Sequence, residues 1–218
     1  MEIIPLGLSS FKLKGKKATV ITDPFDPEMV GLKFPKDAVC DIVTVSHGHP
    51  DHNASHLVSG TDGKPLVFTG PGEYEAKGVE IVAVDSFHDS KEGAERGKNT
   101  LFRIDMDGVR LLHCGDLGHK VDESEEEQLG DIDVLFIPVG GVYTVDSRLA
   151  SEIVTQLEPA IVIPMHYARP ELNIKVFGQL APVSVFLKEM GKENVMPVNK
   201  LKVTPDSLPQ EVQVVVLE

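Results

Sequence analysis

Along the first half of the chain, short runs rich in apolar and β-branched residues alternate with clusters of Gly, Pro and Asp. Five runs, "EIIPLGLSSFKLKG", "KATVITDPF", "CDIVTVSHG", "KPLVFTG" and "VEIVAVDSF", have the length and side-chain types of strands, and the clusters between them have turn chemistry. Further on, "NTLFRIDMDGVRLLHCG" alternates on both sides of Asp107-Gly108 and predicts a hairpin turning there. The runs "DVLFIPVGG" and "PAIVIPMHY" are apolar enough for buried strands, and the tail "LPQEVQVVVLE" reads as a last strand.

Helical periodicity is rarer. Leu149, Ala150, Ile153, Val154 and Leu157 recur at helical spacing, with Asp146 or Ser147 as N-cap. A second helix over "LAPVSVFLKEMG" ends at Gly191, a suitable residue just past a helix C-terminus. The acidic stretch "DESEEEQLGD", 122 to 131, reads as a solvated loop or helix start. The longest loop-like segment, "HDSKEGAERGKN" at 88 to 99, lies between two strand runs, where loops of that size frequently carry function. Strands in both halves with helices between them imply a layered α/β protein, sheets inside and helices outside. With no linker, low-complexity segment or repeat, residues 1–218 read as a single domain.

Composition narrows the class. The chain is 41% apolar and 25% charged, and no apolar run approaches the roughly 20 residues that span a bilayer. The N-terminus "MEIIPLGLSSFKLKGKK" lacks the pattern of a signal peptide, which leads us to expect a cytoplasmic protein. Cys40 and Cys114 lie far apart and suit reduced thiols better than a disulfide framework. Twenty-one basic against thirty-four acidic residues give a net charge of -13, which disfavours broad binding to a nucleic-acid backbone and still allows a local positive site.

The densest chemistry is "SHGHPDHN", residues 46 to 53. In an extended segment His47 and His49 project to the same side and can serve one ion. Pro50 suits a chain turning into a helix start, where Asp51 and His52 can face a second ion. A mixed imidazole and carboxylate set suits Zn²⁺, and also Mn²⁺ or Fe²⁺. One cluster cannot fill two coordination spheres. The remaining ligands are expected to be His, Asp or Glu after apolar runs, and His88, Asp116 and His166 meet that condition.

The ordered set "HGHPDH", His88, "CGD" and "PMH" resembles the metal motifs of the metallo-β-lactamase superfamily over nearly the whole chain. Within that superfamily, "PGEYEAKGVEI", "HDSKEGAERGKNT", "CGDLGH", "IPVGGVYTVD" and "IPMHY" look like the small stand-alone metal-dependent hydrolases grouped with L-ascorbate-6-phosphate lactonase. The resemblance implies a four-layer αββα sandwich with the site at one edge between the sheets. It assigns His47, His49 and His88 to a first metal and Asp51, His52 and His166 to a second, with Asp116 bridging.

Several other residues compete for roles. Cys114 is weighed as a ligand and set aside, because Asp116 fits the bridge; His56 reads as a solvated residue one turn beyond His52. Asp23 is either the support of a ligand imidazole or a turn-former beside Pro24, and His119 either supports the site or lies at the surface. Tyr143 and Tyr167 are candidate hydrogen-bond donors, Glu73 a candidate site residue, and Arg96, Lys98 and Arg169 candidates for holding a phosphate or carboxylate.

The expected chemistry is hydrolysis of a small ester, lactone or phosphoester, its substrate preferably anionic, by a bridging hydroxide that Asp51 orients. Two divalent ions bring +4 and the two aspartates return -2, so the pocket is positive despite the acidic average. A nuclease or cyclic-nucleotide phosphodiesterase on the same scaffold and a non-catalytic metal-binding protein are the alternatives. A redox-active di-iron centre is disfavoured, since superfamily members of that kind typically carry Glu where His49 stands. A homo-oligomer is compatible with the sequence.

Overall fold

A computed structural model describes residues 1–218. The first apolar run is not one strand but a hairpin, β1 (Glu2–Gly7) and β2 (Ser10–Lys14), paired antiparallel around a turn in which Leu8 takes a positive φ of 51°. Next, β3 (Thr19–Thr22) pairs antiparallel with β2. A short helix absent from the sequence reading, α1 (Pro27–Val30), follows: the Asp26 carboxylate caps Glu28 and Met29, and Gly31 closes it in the left-handed region. The small ribbon of β4 (Val39–Cys40) and β6 (Ser59–Gly60) flanks β5 (Ile42–Thr44) and β7 (Leu66–Phe68), which extend the first sheet in parallel from β3.

The second sheet takes β8 (Gly72–Ala76), β9 (Val79–Phe87), β10 (Lys98–Met106), β11 (Val109–His113), β12 (Val134–Pro138) and β13 (Ile161–Met165). "GEYE" thus lies in the edge strand of this sheet, where the candidate Glu73 is exposed opposite Val82 and is not among the clustered donor groups. The loop read as 88 to 99 ends two residues earlier, because Lys98 and Asn99 pair with Phe87 and Ser86. Asp107 and Gly108 turn the β10–β11 hairpin with φ of 54° and 78°. Finally β14 (Leu201–Lys202) returns to the first sheet beside β1, and β15 (Gln213–Val214) completes the second beside β13.

Parallel neighbours in the second sheet are joined by helices. Between β11 and β12 lies α2 (Glu123–Leu129), where the acidic run proves to be a helix closed by a reciprocal Asp122–Glu125 capping box, with Glu125 and Leu129 buried. Between β12 and β13 lies α3 (Ser147–Leu157), capped by Asp146, which accepts from the Leu149 N–H at 2.8 Å. After β13 come α4 (Ile174–Phe177) and α5 (Val183–Glu189). No helix is long and apolar enough to cross a membrane.

Period-two alternation places the layers. Val20 and Ile42 belong to the large buried cluster shared with the second sheet, while Ile21 and Val43, one residue on, join a smaller cluster with Val30 and Phe177. The first sheet therefore has one face on the second sheet and the other on α1 and α4. Phe11 of β2 meets Phe136 of β12 at 4.7 Å between ring centroids. Ala150 and Ile153 of α3 and Phe186 of α5 bury in the same large cluster, so these helices cover the second sheet and the order is α, β, β, α. Full burial of each such aliphatic or Phe side chain is worth about 1.5–3 kcal/mol, which makes this interface the main source of stability. Because β9, β11 and β13 point one way, as do β3 and β5, the residues following their C-terminal ends gather at one edge of the sandwich.

Candidate metal centre

After β5 ends, Val45 and Ser46 lead into His47 without regular structure. His47 and His49 do converge: Nε2 of the first lies 3.0 Å from Nδ1 of the second. The expected helix start at Pro50 does not form. The His52 N–H closes a turn on the His49 carbonyl at 2.9 Å, and the backbone then bonds to the Pro24–Asp26 segment, Asp26 N–H to Pro50 O at 2.9 Å and Ala54 N–H to Pro24 O at 2.7 Å. Those bonds replace helical ones, leaving a single 3₁₀ turn, Ser55–Leu57, with His56 exposed on it. Asp51 and His52 still face the same centre as the other candidate ligands.

Two sets of ligating atoms result. One is His47, His49 and His88; the other is Asp51, His52, Asp116 and His166, and within each set the atoms lie within 4.8 Å of one another. Asp116 reaches both: its Oδ2 is 3.2 Å from His88 Nε2 and 3.5 Å from His166 Nε2, and its Oδ1 is 3.2 Å from His52 Nε2. Asp51 Oδ2 stands 3.6 Å from His52 Nε2 and 3.8 Å from His166 Nε2. Ligand atoms at about 2.0–2.1 Å from a tetrahedral zinc ion are separated by roughly 3.4 Å, so these spacings are those of coordination edges. His52 Nε2, His166 Nε2 and Asp116 Oδ1 are also buried without a hydrogen-bond partner, a costly arrangement unless an ion satisfies them. The residues fit a metal centre.

The electrostatics agree for most of the set. Burial, reinforced by His52, pushes His47 down to about 3, and burial lowers His49 as well, so both rings are neutral ligands at pH 7. Burial opposes ionisation of Asp51 and Asp116, yet the neighbouring His52 and His166 hold Asp51 at about 2 and Asp116 well below the carboxylate range. His52 differs: burial opposes its charge, but Asp116, Asp51 and Asp23 raise its pKa well above the usual value.

These shifts predict an acid-sensitive metal-free protein. The unfolded chain takes up a proton on His47 near pH 6.5, whereas the folded chain refuses it until about pH 3. Stability therefore falls as pH drops through that window, by up to about 1.4 kcal/mol per pH unit for this group. His52 acts in the opposite sense, its contribution complete below pH 6.5 and lost only as pH rises through its folded pKa. Thermal unfolding of chelated protein between pH 7 and 4 should show a falling Tm, and His47→Asn a shallower fall. Parallel profiles for the two proteins would contradict this.

Behind the ligands stands a layer that fixes their orientation. The buried Asp23 carboxylate accepts from Ser46 N–H at 2.7 Å, from Ser46 Oγ at 2.6 Å and from His52 Nδ1–H at 2.7 Å. With its hydroxyl proton given to Asp23, Ser46 Oγ accepts from His47 Nδ1–H at 3.0 Å. One carboxylate thus turns Nε2 of a ring in each set toward the centre. Asn99 clamps the "CGD" turn, donating to Cys114 O at 2.9 Å and accepting from Asp116 N–H at 3.1 Å. His113 accepts from Gly115 N–H and donates through Nε2 to Ser9 O at 2.8 Å. Ser46 and Asn99 escaped the sequence reading, their only signals being position beside a ligand and at a strand start.

Gly118 is required by close approach. A Cβ there would lie 2.3 Å from His88 C and Asp89 N, both backbone atoms. Gly118→Ala should displace the segment carrying His88, cost about 1–3 kcal/mol or more, and lower both Tm and metal content. Gly48→Ala, whose Cβ meets nothing within 4 Å, is the matched control for stability. Equal melting temperatures for the two variants would rule the explanation out.

The remaining candidates separate clearly. Arg96 and Tyr143 line a cavity of about 230 Å³ that opens onto His49, Asp51, His88 and Asp116. Met29, Val176 and Phe177 supply its apolar wall. The Tyr143 hydroxyl donates to Val176 O at 2.7 Å, so this tyrosine shapes the wall and its proton is already committed. Arg169 does not line this cavity; it faces the Tyr167 side and pairs with Glu171 at 3.6 Å. Lys98 pairs with Asp85, and Tyr167 is buried, its hydroxyl pushed up to about 12 by burial, outside the cavity. Cys114 is fully buried behind the turn, with its thiol raised by burial. His119 sits under the end of β9, its Nε2 3.0 Å from Ser86 Oγ and 3.3 Å from Phe87 N, and touches no ligand. A residue overlooked in the sequence, Asp89, gathers the loop after His88: its carboxylate accepts from the N–H groups of Lys91, Gly93, Glu95 and Arg96.

Residues 2–166 match the family model described as the beta-lactamase superfamily domain. The chain is 34% identical over 191 residues to a UPF0173 metal-dependent hydrolase of Thermoplasma acidophilum, covering 77% of this chain and 83% of that one. It is 30% identical over 210 residues to another from Thermococcus onnurineus, covering 83% and 93%. A candidate Zn-dependent hydrolase of the metallo-β-lactamase superfamily from Thermotoga maritima has a crystal structure that superposes with a TM-score of 0.81 at 37% identity, over 100% of this chain and 98% of that chain.

Proposed function

The chain belongs to the metallo-β-lactamase superfamily, in its UPF0173 family of metal-dependent hydrolases, and from that premise we propose that its two ligand sets hold two divalent ions for hydrolysis of a small ester, lactone or phosphoester. The observation that carries this reading is Asp116, one carboxylate within 3.5 Å of imidazole nitrogens from both sets. Zinc is the best match to five imidazoles and two carboxylates with no thiolate, and Mn²⁺ or Fe²⁺ are tolerated by the same donors.

The two donor sets would hold ions whose chemistry, when bound, would be to polarise a substrate oxygen and to lower the pKa of bound water to about 7. The protein contributes the rest. Asp51, ionised and facing the cavity, orients the attacking water as a hydrogen-bond acceptor. Asp23 and Ser46 keep His52 and His47 in the tautomers that present Nε2 to the centre. A single arginine at the cavity is no track for a phosphate backbone, which supports a small substrate over a nucleic acid.

The test is a hydrolysis screen of metal-loaded protein over lactones, carboxylic esters, thioesters, phosphomonoesters and phosphodiesters. Turnover of at least one class, abolished by chelation and restored by added zinc, is the expected result. Absence of chelator-sensitive turnover in every class would refute the proposal.

A further inference from the structure

The chain has five arginines, and four are paired with carboxylates: Arg103 with Asp105, Arg110 with Asp131 and Asp133, Arg148 with Glu152, and Arg169 with Glu171. In a protein of net charge -13, the exception is Arg96. Its guanidinium lies over the Tyr143 ring, 4.8 Å from the centroid, on the wall of the cavity that opens onto the ligands. Both supports of this arginine are fixed. Tyr143 is anchored through its hydroxyl to Val176 O, and the Arg96 N–H donates to Asp89 at 2.7 Å, the last of four backbone bonds that draw the loop together. A guanidinium stacked on an aromatic ring keeps its N–H edges free for a planar two-point contact with a carboxylate or phosphate.

The same cavity is also lined by Met29, Val176 and Phe177. Its volume of about 230 Å³ lies below the roughly 300–1,000 Å³ usual for drug-sized ligands. Resting on the hydrolase reading above, we infer that Arg96 is the specificity-determining residue of this site. It holds an anionic group, carboxylate or phosphate, carried on a small substrate whose apolar portion lies against Phe177.

The test uses the metal-loaded full chain and its Arg96→Gln and Arg96→Lys variants, with metal content confirmed equal. Calorimetric titration with glutarate and with inorganic phosphate reads binding without turnover. Arg96→Gln should weaken at least one of them about 10- to 100-fold, the loss expected for one charge-assisted contact, with Arg96→Lys intermediate; the anion more affected identifies the group recognised. In parallel, paired aryl esters with and without a terminal carboxylate, and an aryl phosphate, are compared by kcat/KM. The wild type should prefer the anionic member, and Arg96→Gln should erase that preference. Arg96-dependent anion binding without turnover of any substrate would defeat the hydrolase reading and leave this inference standing. Turnover with anion affinity and preference unchanged in Arg96→Gln would overturn the inference alone.

Discussion

Asp116→Asn is expected to lower kcat/KM by on the order of 10³-fold and to reduce bound metal from two ions per chain toward one. The substitution preserves volume and removes a single negative charge from a group that is 2% exposed and lies between five imidazole rings. In the proposed dinuclear centre this carboxylate offsets part of the +4 that two ions would bring, and an amide offers only one weakly donating oxygen. Without it the ions repel each other through a low-dielectric space and the second site loses affinity. Activity and metal content equal to wild type in Asp116→Asn would remove Asp116 from the bridging role. Because the backbone of Asp116 is held by Asn99, the variant should keep the turn and the fold, which circular dichroism checks.

Asp23→Ala is the second large effect, expressed in both stability and metal affinity. The carboxylate takes three hydrogen bonds in a fully buried position, and its removal leaves the Ser46 N–H, the Ser46 hydroxyl and His52 Nδ1 without their partner. Each buried donor left unpaired costs about 1–3 kcal/mol, so a total loss of about 3 kcal/mol or more is expected. Metal affinity should fall about 10- to 100-fold, the usual consequence of removing the partner that orients a ligand imidazole. Ser46→Ala divides the two branches: it removes the hydroxyl that links His47 to Asp23 but leaves Asp23 its bonds to Ser46 N–H and His52 Nδ1, so it should weaken the His47, His49, His88 set more than it weakens the His52 side. Competition with a chromophoric chelator reads both affinities. If Ser46→Ala and Asp23→Ala bind metal as wild type does, the orienting role of this pair is wrong.

What the sequence made legible follows from how locally each feature is determined. "HGHPDH" presents four candidate metal ligands in six residues, and period-two projection suffices to pair His47 with His49. His88, Asp116 and His166 were accessible because each follows an apolar run, and strand ends running in one direction must collect at one sheet edge. The layered architecture came from the same runs. Other features depend on tertiary approach. Asn99 acts on a turn 15 residues away, and Gly118 matters only because another backbone passes 2.3 Å from its absent Cβ. Arg96 and Arg169 both follow ligand histidines closely in sequence, yet Asp89 folds one loop back to the cavity while Glu171 holds the other arginine away from it. The helix expected after Pro50 fails for a related reason, since its backbone groups find partners at Pro24 and Asp26.

A pair of ions joined through Asp116 is open to direct test by anomalous diffraction at the zinc edge from crystals of zinc-loaded protein. Two peaks about 3.5–4 Å apart, one among His47, His49 and His88 and the other among Asp51, His52 and His166, with the Asp116 carboxylate between them, are the predicted result. One peak only, or two peaks with Asp116 coordinating neither, would contradict it.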